Sequence, residues 1–200
     1  EDSIPKFVRN DDWWGGDVYL DAVEFLPVTD PDTRNELLFN GEINALQTTN
    51  QASVGDLEDN DAIQNIIDEA GEESFAMINS AVPPFDDIRA REALAQATPL
   101  QNYRTLVGLG ISSDANQGFT EDSKYYNPDV VQQGDNPERA LELVAEYCAE
   151  KGTDVNTVLG ETPTCTDGKI NIELQWSGPA VIQTRIAEIL DEGWKNAGFN

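Results

Sequence analysis

Two arginines two positions apart, Arg89 and Arg91 in the stretch PPFDDIRAREAL (83–94), are the residues of this chain best suited to hold an anion. A guanidinium stays charged at any ordinary pH and presents a planar fork of donors to carboxylates or carbonyls. On a helix advancing about 100° per residue, Arg91 falls on the side of Ile88, Leu94 and Ala95, while Arg89 points to solvent. A cation turned inward must find a carboxylate or several carbonyls, because a buried unpaired charge is strongly destabilising. Arg91 is therefore expected to be a buried structural clamp between its helix and a neighbouring segment. Capture of an anionic ligand is the alternative.

Other chemistries are fewer. The 200 residues include no histidine, which removes Ser-His-Asp and Cys-His catalysis, the common zinc sites and an imidazole pH switch. Glu72 and Glu73 could in principle form the acid/base pair of a hydrolase. With 38 Asp plus Glu in the chain, however, neighbouring acids arise by chance, so no catalytic residue is assigned and no enzyme is expected. The run DPDTRNELLFNGE (30–42) carries carboxylates but lacks the Asp-x-Asp-x-Asn-Gly order of a calcium loop. No metal ligand or cofactor is assigned. The acidity alone keeps an acidic, calcium-dependent extracellular interaction domain as the second functional reading.

Cys148 and Cys165 flank a polar, turn-rich segment, AEKGTDVNTVLGETPT. A disulfide there would staple a helix end to a loop and imply an oxidising compartment; two buried free thiols are the alternative.

Counting 12 Lys plus Arg against 38 Asp plus Glu gives a net charge of -26. No nucleic-acid partner is expected, since its binding requires clustered cations, and anionic membranes are disfavoured for the same reason. The charge reads as a solubilising coat on a protein from a salty or extracellular setting. An apolar content of 39% suffices for the core of one domain. No stretch approaches the ~20 apolar residues of a membrane span. Glu1 opens the chain with neither initiator methionine nor signal peptide, as in a mature form or an excised segment.

The elements that would position these residues alternate. LDAVEFLPV (20–28) reads as a strand. A short helix follows, with Asp30 as N-cap, Pro31 as first helical residue and Gly41 as its left-handed stop. EINALQTT (42–49) is a second strand, QASVGDLEDN another short helix, and Phe75–Asn79 a third strand. The arginine helix runs from Asp86 or Asp87 to about Ala97 and is ended by Pro99. The stretch 108–136 lacks a period and reads as a long surface excursion anchored by Tyr125, Tyr126 and Val130. Asn136 and Pro137 start a helix that runs to Gly152, KINIELQWS (169–177) alternates as a strand, and 178–198 forms the last helix. Phe199 and Asn200 look like the start of a further strand. Such alternation predicts an α/β fold, a mixed sheet flanked by helices.

The order of three segments carries a resemblance: DDWWGGDVYLDAVEFLPVTDPDTRNELLFNGEIN, then INSAVPPFDDIRAREALAQA, then YYNPDVVQQGDNPERALELVAEYCAEKG. Together they resemble the family 5 extracellular solute-binding proteins of ABC importers, the dipeptide- and oligopeptide-binding group. Trp13, Trp14, Gly41, Glu42 and Ile43 match one family element, although Asn44 replaces the usual aspartate. Asn79, Pro83, Pro84, Phe85, Asp87, Arg89, Arg91, Ala93 and Leu94 match a second element. Pro137, Glu138, Ala140 and Gly152 match a third. Pro99 and Leu100 stand where Asp and Arg are common, so that junction must be built differently.

The resemblance implies a type II periplasmic-binding fold of two lobes enclosing a small peptide-like solute, a monomeric receptor outside the cytoplasm, and an importer permease as partner. Residues 1–200 resemble a single carboxy-terminal-side lobe, cut before its sheet is complete. In such sheets ligands sit at loops after strand carboxyl ends. The candidate ligand-binding residues are accordingly Gln47, Thr48, Thr49 and Asn50, then Trp176, Ser177 and Gly178, with Asn79 and Ser80 as a weaker pair. Trp13 and Trp14 are expected to be structural, packing near the hinge.

Overall fold

A computed structural model describes residues 4–67, 74–111, 114–177 and 181–200. The chain divides into two compact units, Glu1–Asn65 and Ile66–Asn200.

The first unit opens with an antiparallel pair, β1 (Lys6–Val8) and β2 (Ala22–Glu24), in which Phe7 lies opposite Val23. Side chains alternate faces along a strand, yet neighbours Phe7 and Val8 are both exposed. One face of the ribbon thus carries Phe7 and Val23, and the other carries Val8 and Ala22 beside the Lys6–Glu24 ion pair. Two short helices follow, α1 (Pro31–Phe39) and α2 (Gln51–Glu58). The local chemistry explains the first: Asp30 accepts from Thr33 N at 2.8 Å, Pro31 occupies the first turn, and Gly41 takes a positive φ of 74°. That backbone lets Gly41 N and Glu42 N close onto Leu38 O and Leu37 O. Buried Asn35 and Ser53 then bridge the helices, with Ser53 Oγ donating to Asn35 Oδ1 at 2.6 Å.

The second unit holds the main core. Its elements are α3 (Ile88–Ala97), α4 (Leu100–Leu106), α5 (Pro137–Lys151), β3 (Val155–Asn156), β4 (Thr162–Pro163), β5 (Cys165–Thr166), β6 (Lys169–Ile170) and α6 (Val181–Asn196). A single 3-10 turn, Thr157–Leu159, joins β3 to β4. Three alanines, Ala90, Ala93 and Ala97, let α3 lie close against α5, whose Ala140, Leu143, Val144 and Tyr147 fill the other side. Trp194 of α6, Ile170 and Phe199 close the core. Pro99 does end α3, but a second helix starts at once. Lacking an N–H, proline breaks a hydrogen-bond ladder yet is tolerated where a helix begins.

The sheet departs from expectation. Among the described residues there are three separate two-stranded antiparallel sheets, β1-β2, β3-β4 and β5-β6, in place of one mixed sheet. Residues 42–49 and Phe75–Asn79 form no strand. An extended segment becomes a strand only by pairing, and no ladder runs beside these two. The strand expected over 169–177 keeps regular pairing only at Lys169–Ile170. Beyond that, Ile170 makes a parallel bridge to Phe199, and Asn200 N donates to Ile170 O at 2.9 Å, the start of strand anticipated for the last two residues.

Among its described residues, the excursion 108–136 has no helix or strand. Polar contacts help to hold it: Gln117 and Asn127 exchange two hydrogen bonds, of 2.6 and 3.0 Å, while of the expected anchors Tyr126 is half-buried and Tyr125 and Val130 are exposed.

Candidate functional site

The loop preceding α2 is shaped by its own side chains. Thr48 Oγ1 accepts from Asn50 N at 3.1 Å, and Asn50 Oδ1 accepts from Ser53 N at 2.9 Å, capping the helix. Both residues are half-buried, and their acceptors are directed to backbone, whereas Gln47 and Thr49 are exposed. Sequence reasoning passed over two atoms on these helices. Arg34 Nε on α1 and Gln51 Oε1 on α2 are buried without a hydrogen-bond partner among the described residues. Neither follows a recognisable motif.

In the second unit Asn79 is exposed and its Oδ1 accepts from Ala81 N at 3.1 Å, a local turn that leads through exposed Ser80 to the cis Pro83–Pro84 bond. Trp176 is 52% exposed and Ser177 is exposed as well. Ile172 and Leu174 pack on the core, but Trp176, in alternation with them, does not continue it. Gly178 lies outside the described residues, as do Glu72 and Glu73. The structure thus brings Thr48 and Asn50 together as a cap; among the described residues no hydrogen bond links Asn79 to Trp176 or Ser177.

Trp13 and Trp14, expected to pack near a hinge, lie in the first unit. They stack on one another, with ring centroids 4.8 Å apart, and Trp14 is 87% exposed, so they do not pack into the interior of the first unit. Trp13 instead joins Phe7, Val18, Tyr19 and Leu20 in lining an open concavity of about 530 Å³ on the β1–β2 ribbon. The guanidinium at its edge, Arg9, is held by Asp11 and Asp21, each at 2.7 Å. Apolar side chains would fit this surface.

The arginine pair also requires correction. Arg89, expected in solvent, is the interhelical clamp: it donates to Asp87 through Nε (3.0 Å) and Nη2 (2.7 Å), to Glu150 of α5 through Nη1 (2.9 Å), and lies 6.0 Å from the Tyr147 ring centre. Arg91 is half-buried and donates to the carbonyls of Phe85 and Asp86 at 2.7 and 3.2 Å, fastening the turn before its own helix. The apolar stripe is the alanine face, not the side of Ile88, which is 62% exposed.

Asp87 caps α3 by accepting from Arg89 N at 2.9 Å, and the Arg89 guanidinium holds its carboxyl below the ordinary carboxylate value. A depressed native value contributes stability above the unfolded value of 3.8 that is lost as pH falls through the native one. Asp87→Ala should therefore lose about 1 kcal/mol at neutral pH, the usual worth of an N-cap. In urea melts followed across pH, the gap between variant and parent should close below the native value. A gap unchanged down to that pH would contradict the assignment.

Burial raises the Tyr147 hydroxyl above its ordinary value, consistent with a core role. Among the described residues no three acidic or thiol side chains converge where an ion could be held.

The chain belongs to the extracellular solute-binding proteins of family 5: the family described as "Bacterial extracellular solute-binding proteins, family 5 Middle" matches residues 2–200. The resemblance drawn from its motifs holds, and the family implies a type II periplasmic-binding fold, with which these helices and small sheets are compatible. One relative is Heme-binding protein A of Haemophilus influenzae, 23% identical over 197 residues, covering 98% of this chain and 34% of that protein. Nickel-binding periplasmic protein of Escherichia coli is 23% identical over 198 residues, with 96% and 36% covered. Dipeptide-binding protein of Escherichia coli is 25% identical over 157 residues, with 78% and 29% covered. The chain spans about a third of the length of these relatives.

Proposed function

We propose that this chain is part of the solute-capturing component of an ABC-type importer for peptides or similar small solutes, working by lobe closure around its ligand and performing no chemistry on it. The observation that carries this reading is the family match across residues 2–200. Relatives named for heme, nickel and dipeptide share the same stretch, which favours a common capture scaffold with differing ligands. The Cys148–Cys165 disulfide favours an extracytoplasmic location. The importer permease would be met through the whole receptor, as a monomer.

Within this reading Gln47, Thr49, Asn79, Trp176 and Ser177 keep side chains accessible to a solute, and Trp176 offers the largest contact area. In the receptor that contains this chain, Trp176→Ala should weaken the affinity for a bound peptide about tenfold or more. Its melting temperature should hardly move, because the ring is half in solvent. Mass spectrometry of the receptor purified under mild conditions should find a small solute retained. Absence of any retained solute, together with no peptide heat in calorimetry, would sink the proposal. For residues 1–200 alone, dipeptide titrations should give affinities weaker than about 0.1 mM, because a solute gains most from enclosure by preordered contacts on all sides. The alternative of a calcium-dependent domain has no converging set of carboxylates behind it among the described residues.

A further inference from the structure

We infer that the native state of this chain is conditional on dissolved salt, with helix α5 as the most salt-sensitive element. The charge count sets the condition. If each of the 12 cations neutralised one of the 38 carboxylates, 26 would remain unmatched. The ion pairs concentrate rather than spread this neutralisation: Arg9 takes both Asp11 and Asp21, and Arg89 takes both Asp87 and Glu150.

The second observation is positional. Glu138, Glu142, Glu146 and Glu150 stand at successive fourth positions of α5, all exposed. Fourth positions of a helix lie about 6 Å apart along the axis and share one face, so the four carboxylates form a like-charged stripe. Like charges at this spacing oppose the helix, and the later ones also face the negative end of its dipole. Arg139 offsets Glu142, and Arg89 offsets Glu150, each at 2.9 Å. Glu146 has no ion pair closer than 4.0 Å among the described residues, although Arg139 lies within its electrostatic reach. The opposite face of the helix carries Ala140, Leu143, Val144 and Tyr147 of the main core, so loosening α5 loosens the whole second unit.

Ionic strength decides the outcome because of length scales. The Debye length is about 30 Å at 0.01 M and about 3 Å at 1 M salt. The stripe repels itself almost unscreened in the first case and is largely screened in the second.

The test is thermal unfolding by circular dichroism between about 0.01 M and about 1 M NaCl, repeated with choline chloride. A rise in Tm of at least about 5 °C is expected across this range. It should be of similar size for both salts, because screening depends on ionic strength and not on which cation carries it. The variant Glu138→Gln/Glu146→Gln should show a visibly shallower salt slope than the parent. A Tm that stays flat or falls with NaCl, a rise seen with only one of the two salts, or an unchanged slope in the double variant would overturn the inference. If the double variant fails to fold, the single exchange Glu146→Gln gives the same slope comparison.

Discussion

Trp194→Ala is expected to destabilise the second unit by about 3–5 kcal/mol, the cost of deleting a large buried aromatic side chain and leaving its cavity. The indole is 4% exposed and belongs to the core that Leu94 and Ala97 of α3 form with Phe199 at the chain end. Its Nε1–H donates to Thr98 Oγ1 at 3.1 Å, and that hydroxyl donates onward to Leu94 O at 2.8 Å. One side chain thus ties α6 to the end of α3. The surroundings cannot collapse into the gap easily: a Cβ on the neighbouring Gly193 would stand 2.6 Å from Pro99 Cγ, so α6 is already seated against that proline. Domains are stable by only about 5–15 kcal/mol in total, and the loss would be plain in urea unfolding followed by far-ultraviolet circular dichroism. Trp194→Phe should cost much less, since it keeps most of the volume and gives up the hydrogen bond. A loss under about 1 kcal/mol for the alanine variant would mean that the core is held without α6.

Helix starts were legible because their signals are local. Asp30 before Pro31, Asp87 before Arg89 and Asn136 before Pro137 each accept a hydrogen bond from the backbone of the first turn, as their spacing predicted. Strands were legible only in part, because a strand's extent is set by its partner: KINIELQWS keeps its inward alternation at Ile170, Ile172 and Leu174 while losing regular pairing after Ile170. Asn171, a polar residue between Ile170 and Ile172, is nonetheless buried and spends its amide on Pro163 O and Thr166 Oγ1.

The arginine pair shows a different limit. A helical wheel gives weight to large apolar residues, and Ile88 drew the stripe toward itself. The real contact face consists of alanines, whose small size is what lets α5 approach and reach Arg89 through Glu150. At the candidate loops, residue type pointed to the right places for polar contacts but could not tell a ligand contact from a cap: Thr48 and Asn50 proved to serve backbone amides.

The disulfide carries the other large effect. Cys148, in the last turn of α5, is bonded to Cys165 on β5, with Cα atoms 5.7 Å apart and the two residues 17 positions apart in sequence. Closing a loop of that length removes about 3 kcal/mol of unfolded-state entropy, so Cys148→Ala/Cys165→Ala should be destabilised by about that amount. The folded hairpin itself should persist, because it has independent holds: Thr164 Oγ1 donates to Lys151 O at 2.7 Å, Cys165 N to Gly152 O at 3.1 Å, and Asn156 Nδ2 to Asn171 O at 3.1 Å. The loss therefore belongs to the unfolded chain, which gains freedom, and denaturant unfolding should show a lower midpoint with an equal or larger m value. Adding a reductant to the parent should reproduce the variant's curve, and the variant should ignore the reductant. Were the double variant to lose the hairpin's amide protection in hydrogen exchange while global stability hardly changed, the bond would be acting as a local fastener of the folded state, and the entropic account would fail.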